Sequence, residues 1–67
     1  MTLREATLAL DKQLRDKPGY QTCGEGVNDR IVVYYDPASR FNPFTDVPHK
    51  FEGFFTLCRE MGPIIPL

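Results

Sequence analysis

The stretch that decides the fold is Arg30-Ile31-Val32-Val33-Tyr34-Tyr35-Asp36, in which five β-favouring residues follow one another. Because side chains alternate across a pleated strand, Ile31, Val33 and Tyr35 share one face, and Val32 and Tyr34 share the other. Both faces are apolar, and a strand of this kind needs cover on both sides. The stretch therefore predicts a layered fold, although it names no chemistry.

A capping box marks the start of a helix that precedes this strand. Thr2 is followed three residues later by Glu5, so the threonine side chain can accept from the Glu5 backbone while the glutamate reaches back to the Thr2 backbone. Lys17-Pro18-Gly19 stops the helix, because proline disfavours helical geometry at Lys17 and glycine accepts the turn that follows. The predicted helix runs from residue 2 to residue 16.

This helix has one apolar stripe, which we expect to face the core. At about 100° per residue the stripe collects four side chains, namely Leu3, Ala6, Leu10 and Leu14. Leu8 lies outside the stripe, so it is expected to be exposed in a monomer. A single exposed leucine is common, and contact with a second subunit is the alternative interpretation.

A weaker strand, residues 20–27, precedes the decisive one and carries two glycines. If Asn28-Asp29 forms a two-residue turn, Gly24 faces Val33 and Gly26 faces Ile31. The glycines would then lie beneath the helix, where missing side chains allow close approach. A Gly-x-Gly phosphate cradle is the other interpretation, but it requires a following helix, and here a strand follows.

Residues 37–50 predict a crossover loop with room for a helical turn, because they are rich in Pro, Asn, Ser and Asp. We expect Phe41 and Phe44 to pin this loop to the sheet. Residues 51–59 alternate in polarity and predict a third strand, which the crossover makes parallel to the second. The two rows of this strand are Phe55, Leu57 and Arg59 against Phe54, Thr56 and Cys58.

The predicted fold is therefore α+β, a two-layer sandwich in which the N-terminal helix packs on a three-stranded mixed sheet. The element order is helix, strand, strand, loop, strand, which resembles a truncated ferredoxin-like architecture and carries no function by itself. With 67 residues the chain has room for one small domain, 1–67.

Charge and hydropathy disfavour two classes of partner. Eight basic and nine acidic residues are scattered along the chain and give a net charge of −1, which offers no electrostatic footprint for nucleic acid. No apolar run approaches the roughly 20 residues that span a bilayer. We expect a cytoplasmic protein that binds neither nucleic acid nor membranes.

Three residues are candidates for catalysis or metal binding: the single histidine His49 and the two cysteines, Cys23 and Cys58. No sequence motif of a catalytic nucleophile surrounds either cysteine, and the spacings match no zinc motif. The prediction is therefore no catalytic residue, no cofactor and no metal. In the predicted hairpin Cys23 shares a face with Tyr34. If that face coincides with the face of Cys58, the thiols are neighbours, and a small thiol or metal protein becomes an alternative.

One helix covers only one face of the sheet, so the second face needs another cover. We predict a non-catalytic protein-interaction or structural module that self-associates through this face, since twofold homodimers commonly bury a self-complementary patch. Another protein is the second possible partner. The predicted interface residues are Leu8, Val32, Tyr34, Phe54, Phe55, Ile64 and Ile65.

The competing hypothesis is a protease-inhibitor or propeptide-like domain. Gly62-Pro63-Ile64-Ile65-Pro66-Leu67 has the extended, apolar character of a tail that docks on an enzyme. Deleting residues 64–67 separates the two hypotheses, because loss of binding with an intact fold favours the tail and unfolding makes the tail an edge of the core.

Overall fold

A computed structural model of the chain describes residues 1–61. The elements follow in the order α1 (Leu3–Leu14), β1 (Tyr20–Glu25), β2 (Ile31–Tyr35), α2 (Pro43–Asp46), β3 (Lys50–Phe51) and β4 (Phe54–Glu60). The strands form one mixed sheet in the order β1-β2-β4-β3, and residues of α1 pack on one side of it. The predicted α+β architecture is confirmed, with four strands instead of three.

Helix α1 begins as its capping box predicts. The Thr2 hydroxyl accepts from the Glu5 backbone N–H at 3.2 Å, and the Glu5 carboxylate accepts from the Thr2 backbone N–H at 3.0 Å. The helix ends at Leu14 rather than at residue 16. The reason is that the Lys17 N–H donates to the Leu14 carbonyl at 3.0 Å, an i to i+3 bond that tightens the chain into a turn.

The core lies between α1 and one face of the sheet. The predicted helix stripe is confirmed, because Ala6, Leu10 and Leu14 are buried and Leu3 packs against them. The sheet contributes Ile31 and Val33, both fully buried. The crossover closes one end of this core with the buried residues Phe41 and Val47.

The crossover uses only one of its two phenylalanines as an anchor. Phe41 is buried, and its ring lies 5.6 Å from that of Tyr35 and 6.4 Å from that of Tyr20. The prediction that Phe44 also pins the loop is wrong, since this side chain is 93% exposed. Phe44 belongs to α2, a single turn whose start is held by Asn42. Phe41, which precedes this turn, already occupies the core position.

The β1–β2 hairpin differs from its predicted register by one residue. Glu25 pairs with Ile31, Gly24 with Val32 and Cys23 with Val33. The connection is a three-residue turn, Val27–Asp29, instead of two residues, and the Gly26 N–H donates to the Arg30 carbonyl at 2.6 Å. Asn28 and Asp29 take φ values of 57° and 55°, a left-handed geometry that Asn and Asp tolerate better than most residues.

A one-residue shift moves every side chain of β1 to the other face. Gly24 therefore pairs with Val32, on the side of the sheet away from α1, and the prediction that the glycines lie beneath the helix is wrong. Cys23 takes the place beneath the helix: its thiol donates to the Thr7 carbonyl at 3.2 Å. A bulge at Gln21 then restores Tyr20 to the helix side, where it pairs with Tyr35.

The predicted third strand is in fact a small hairpin followed by a long strand. Glu52 and Gly53 form a two-residue turn with φ values of 51° and 86°, the geometry of a type I′ turn, and so separate β3 from β4. An X-Gly pair between apolar residues is the sequence signal for this turn. The predicted parallel pairing of the second strand with the segment after the crossover is confirmed, with Val33 opposite Cys58.

Candidate functional site

The two faces of the sheet present different surfaces. The covered face packs against α1 and carries Ile31, Val33 and the two cysteines. The opposite side, which we call the open face, has no element of residues 1–61 packed across it as α1 is packed on the first. The larger side chains of the open face are Arg30, Val32, Tyr34, Lys50, Phe55, Leu57 and Arg59, and β1 adds Thr22 and Gly24 at one edge.

The open face is apolar at its centre. Phe55 is 52% exposed and Leu57 is 37% exposed, whereas Tyr34 is half-buried. Val32 is only 8% exposed although it lies on this face. The backbone at Gly26 explains this cover, because a Cβ added there would lie 2.6 Å from Val32 Cγ2. Val32 is thus covered in part by the backbone of its own chain.

Two shallow depressions join into one surface on the open face. The first, of about 340 Å³, lies over Val32 between the β1–β2 turn and β4. The second, of about 270 Å³, lies beside Phe55. Arg30 and Leu57 line both depressions. The two depressions therefore adjoin, and we call them together the groove; its apolar lining includes Val32, Phe55 and Leu57.

Arg30 and Arg59 line this groove and Lys50 lies beside it, over the ring of Phe55; all three cations are exposed. The Lys50 ammonium lies 5.2 Å from the centre of the Phe55 ring, a cation–π distance. The ion pairs formed within residues 1–61 lie elsewhere, joining Arg15 to Asp11 and Lys17 to Asp46. Among residues 1–61, Glu25 is the only carboxylate that lines either depression. The open face consequently carries an excess of positive charge.

The two cysteines share the covered face, but a strand separates them. Cys23 and Cys58 each pair with Val33 from opposite sides, which places their backbones two strand spacings apart, about 9.5 Å. A disulfide requires Cα atoms less than about 7 Å apart, so the two thiols cannot bond within this fold. Burial raises the pKa of both thiols, which keeps them protonated. The prediction that Cys23 shares a face with Tyr34 is wrong, because the register shift reverses it.

His49 is the third candidate for metal or thiol chemistry, and the structure does not bring it together with both cysteines. His49 is exposed, and its ring meets Phe55 edge-on at 5.7 Å. It lines a groove of about 340 Å³ beside α2 together with Phe44 and Cys58. Cys23 lies on the far side of β2. Within residues 1–61, no three side chains of His, Cys, Asp or Glu converge on a common point.

The predicted interface residues fall in different places. Val32, Tyr34 and Phe55 share the open face. Phe54 packs against the core from the covered side, and Leu8 is 62% exposed on the outer side of α1, away from the sheet. The two remaining residues, Ile64 and Ile65, lie outside the described residues.

Sequence reasoning missed four of the larger side chains of the open face. Leu57 and Arg59 follow from the alternation in residues 55–59, once Phe55 is assigned to that side. Arg30 follows by alternation from Ile31. Lys50 reaches the open face because strand β3 pairs it with Phe55. This strand was not predicted, so the position of Lys50 could not be predicted either.

Comparison with protein-family models, with curated proteins and with solved structures finds no match to this chain. Nor does any helix in residues 1–61 have the length and apolar character needed to cross a bilayer. The functional argument therefore depends on the geometry of the open face.

Proposed function

We propose that this chain is a small non-catalytic protein-interaction module whose binding surface is the open face. The observation that carries the proposal is the apolar groove of Phe55 and Leu57, surrounded by cations that have no carboxylate partner within residues 1–61. Aromatic residues and arginine are enriched at the centres of protein interfaces, where they supply much of the binding energy. The same side chains contribute little to a core that already closes on the other face.

The environment of the nucleophiles supports a binding role over a catalytic one. A catalytic cysteine needs a lowered pKa and an adjacent base. Both thiols here have raised pKa values and lie on the covered face, and the Cys23 thiol donates to a backbone carbonyl. His49 is exposed on the rim of the sheet. The positions of the two thiols are those of structural side chains.

Self-association through the open face stays a prediction, and charge counts against a tight dimer. Two copies that met face to face would bring Arg30, Lys50 and Arg59 of each into one interface, where like charges repel. Added salt would screen this repulsion. We expect self-association to be weak and to strengthen as the salt concentration rises, which makes a different protein the better partner.

Two further predictions concern the tail and the location. The protease-inhibitor hypothesis depends on residues 62–67, which lie outside the described residues, so it stays a prediction. A cytoplasmic location is also a proposal, supported by two free cysteines that the fold keeps apart.

Selection from a random peptide library tests the proposed binding surface. The immobilised protein is used to select peptides, and their binding is compared among wild type, Phe55→Ser with Leu57→Ser, and the control Leu8→Ser. We expect peptides that bind wild type and the Leu8 variant alike and lose affinity for the double variant. Circular dichroism shows whether each variant keeps its fold.

Leu8 is a suitable control because it is as exposed as Phe55 but lies on the outer side of α1. Peptides that lose binding in Leu8→Ser and keep it in the double variant would place the binding surface on α1. A library that yields no binder above background to the folded protein would also contradict the proposal.

A further inference from the structure

We propose that the partner of the open face is an extended, acidic segment of another protein, which inserts an apolar side chain into the depression over Val32. This inference rests on the proposed function, because it names the chemistry of the partner for the same surface. It is carried by the charge of the groove and by its shape.

The charge of the groove favours an anionic partner. Arg30 and Arg59 line the groove with one carboxylate of the described residues, Glu25, and Lys50 adds a third cation over the Phe55 ring, on a chain whose net charge is −1. Most other acidic side chains lie on α1 or in the turns, and Glu60 at the end of β4 pairs with Tyr35 on the covered face. The positive charge is therefore a property of this face and not of the whole molecule.

Each cation on this face is available to a partner. The three side chains are exposed, and none takes part in an ion pair with another described residue. An arginine can bind a carboxylate in bidentate fashion, and two arginines lie on this groove. A segment with several glutamates or aspartates offers a carboxylate to each of these two arginines.

The shape of the groove favours an extended segment that alternates apolar and acidic side chains. The depression over Val32 and the depression beside Phe55 join at Arg30 and Leu57. An apolar side chain fits the first, with Tyr34 and Leu57 as its neighbours. The second offers the half-exposed Phe55 as a further contact.

The aromatic side chains argue for a protein segment over single-stranded nucleic acid. Nucleic-acid platforms stack successive bases on open aromatic faces. Here Lys50 covers the Phe55 ring and the edge of His49 also approaches it, while Tyr34 is half-buried. Three cations on an otherwise acidic chain also neutralise few phosphates. A short acidic segment needs no more than this surface supplies.

Matched peptide probes test the inference. A short fluorescein-labelled peptide carries one phenylalanine among glutamates, and its control replaces every glutamate by glutamine. Fluorescence anisotropy measures binding to wild type, to Arg30→Gln with Arg59→Gln, and to the control Arg4→Gln. Arg4 is an exposed cation of α1 that also takes part in no ion pair with another described residue.

We expect the acidic peptide to bind wild type and Arg4→Gln with the same affinity and to bind the double variant about tenfold more weakly, because two exposed ion pairs are lost and each contributes little in water. The glutamine peptide should be weaker by a similar factor. Rising salt should weaken the acidic peptide, in contrast to its expected effect on self-association.

Three results would overturn the inference: equal binding of the acidic and glutamine peptides, no binding of the acidic peptide at millimolar concentration, or tighter binding of labelled oligouridylate that is lost in the same double variant. If library peptides bind the open face while the acidic probe does not, only the inference fails. If the acidic peptide binds Phe55→Ser with Leu57→Ser as tightly as wild type, the open face is not the site and the proposed function fails too.

Discussion

The two faces of the sheet are built from the same strands, yet they divide stability and binding between them. On the covered face Ile31 and Val33 are fully buried beneath α1. On the open face, Phe55 and Leu57 remain partly exposed among cations that form no ion pair within residues 1–61. The difference shows that the position of the single long helix decides which apolar row becomes core and which stays available to a partner.

Strand β2 places one row of side chains on the covered face and another on the open face. Its residues are apolar on both faces, so its own sequence does not distinguish the two sides. The row of Val33 is flanked by two half-buried cysteines. The row of Tyr34 is flanked instead by the exposed side chains of Thr22 and Arg59. The side chains of the flanking strands therefore agree with the position of α1, which packs on the row of Val33 and leaves the row of Tyr34 to solvent.

The largest predicted loss of stability comes from a comparison of a core leucine with a leucine of the open face. Leu10→Ala should destabilise the fold by about 2–5 kcal/mol, because it leaves a cavity in a fully closed core. Leu57→Ala should cost about 1 kcal/mol or less, since its side chain is already partly in water. Urea unfolding followed by circular dichroism measures both losses. Equal losses would mean that the open face is part of the core.

Two glycines, Gly24 in β1 and Gly26 just after it, provide a matched pair for the next largest change in stability. Gly26→Ala places a methyl group 2.6 Å from Val32 Cγ2 and should cost about 1–3 kcal/mol through overpacking. Gly24→Ala meets no atom within 4 Å and should be neutral or stabilise by about 0.5 kcal/mol, because glycine is unfavourable inside a strand. Thermal unfolding of the two variants compares them. Comparable losses in both variants would instead favour the register predicted from the sequence, in which both glycines lie beneath α1.

That pair also shows what could be predicted from sequence. The helix stripe, its capping box, the parallel pairing and the exposure of Leu8 all follow from local periodicity and connection length. The hairpin register does not, because two- and three-residue turns fit the Gly-Val-Asn-Asp sequence equally well. The choice depends on which row α1 buries, and that is a tertiary property.

The candidate site was predictable only in part for the same reason. Tyr34 and Phe55 were selected as uncovered aromatic residues, and the structure places both on the open face. The cations around them were not predicted, because only apolar and aromatic residues were expected in the interface. Lys50 was beyond reach without the Glu52–Gly53 turn, which folds its strand against β4.

A smaller effect concerns the bond that ties α1 to the edge strand β1. The Tyr20 hydroxyl donates to the Asp11 carboxylate at 2.5 Å, and this bond, with help from Arg15, lowers the pKa of Asp11. Removing it in Tyr20→Phe should cost about 1 kcal/mol near neutral pH. The loss is measured by urea unfolding across a pH series.

The pH dependence follows from the direction of each shift. A lowered Asp11 pKa stabilises the fold above the ordinary Asp value of about 3.9, and this contribution is lost as the pH falls through the folded value. The Tyr20 pKa is raised, first by burial and then by Asp11, so its contribution holds below about pH 10. The difference between wild type and Tyr20→Phe should narrow in acid. A difference that stays constant from pH 2 to about 7 would contradict this role of Asp11.

The smallest effect concerns the thiols of the covered face. Since burial raises the pKa of Cys23 and Cys58, both should react slowly with a thiol-specific disulfide reagent in the native protein and quickly in urea. Mild oxidation of the native monomer should form no intramolecular disulfide, as mass spectrometry can show. An intramolecular bond formed under native conditions would mean that β2 does not separate the two residues.

The central claim is that partners bind on the open face, and chemical-shift mapping tests it most directly. The acidic phenylalanine peptide is titrated into isotopically labelled protein, and backbone amide shifts are followed by heteronuclear NMR. The account predicts that the largest changes lie at Tyr34, Phe55 and Leu57, with small changes at Leu8. Changes concentrated on the outer side of α1, or beside Phe44, would contradict it.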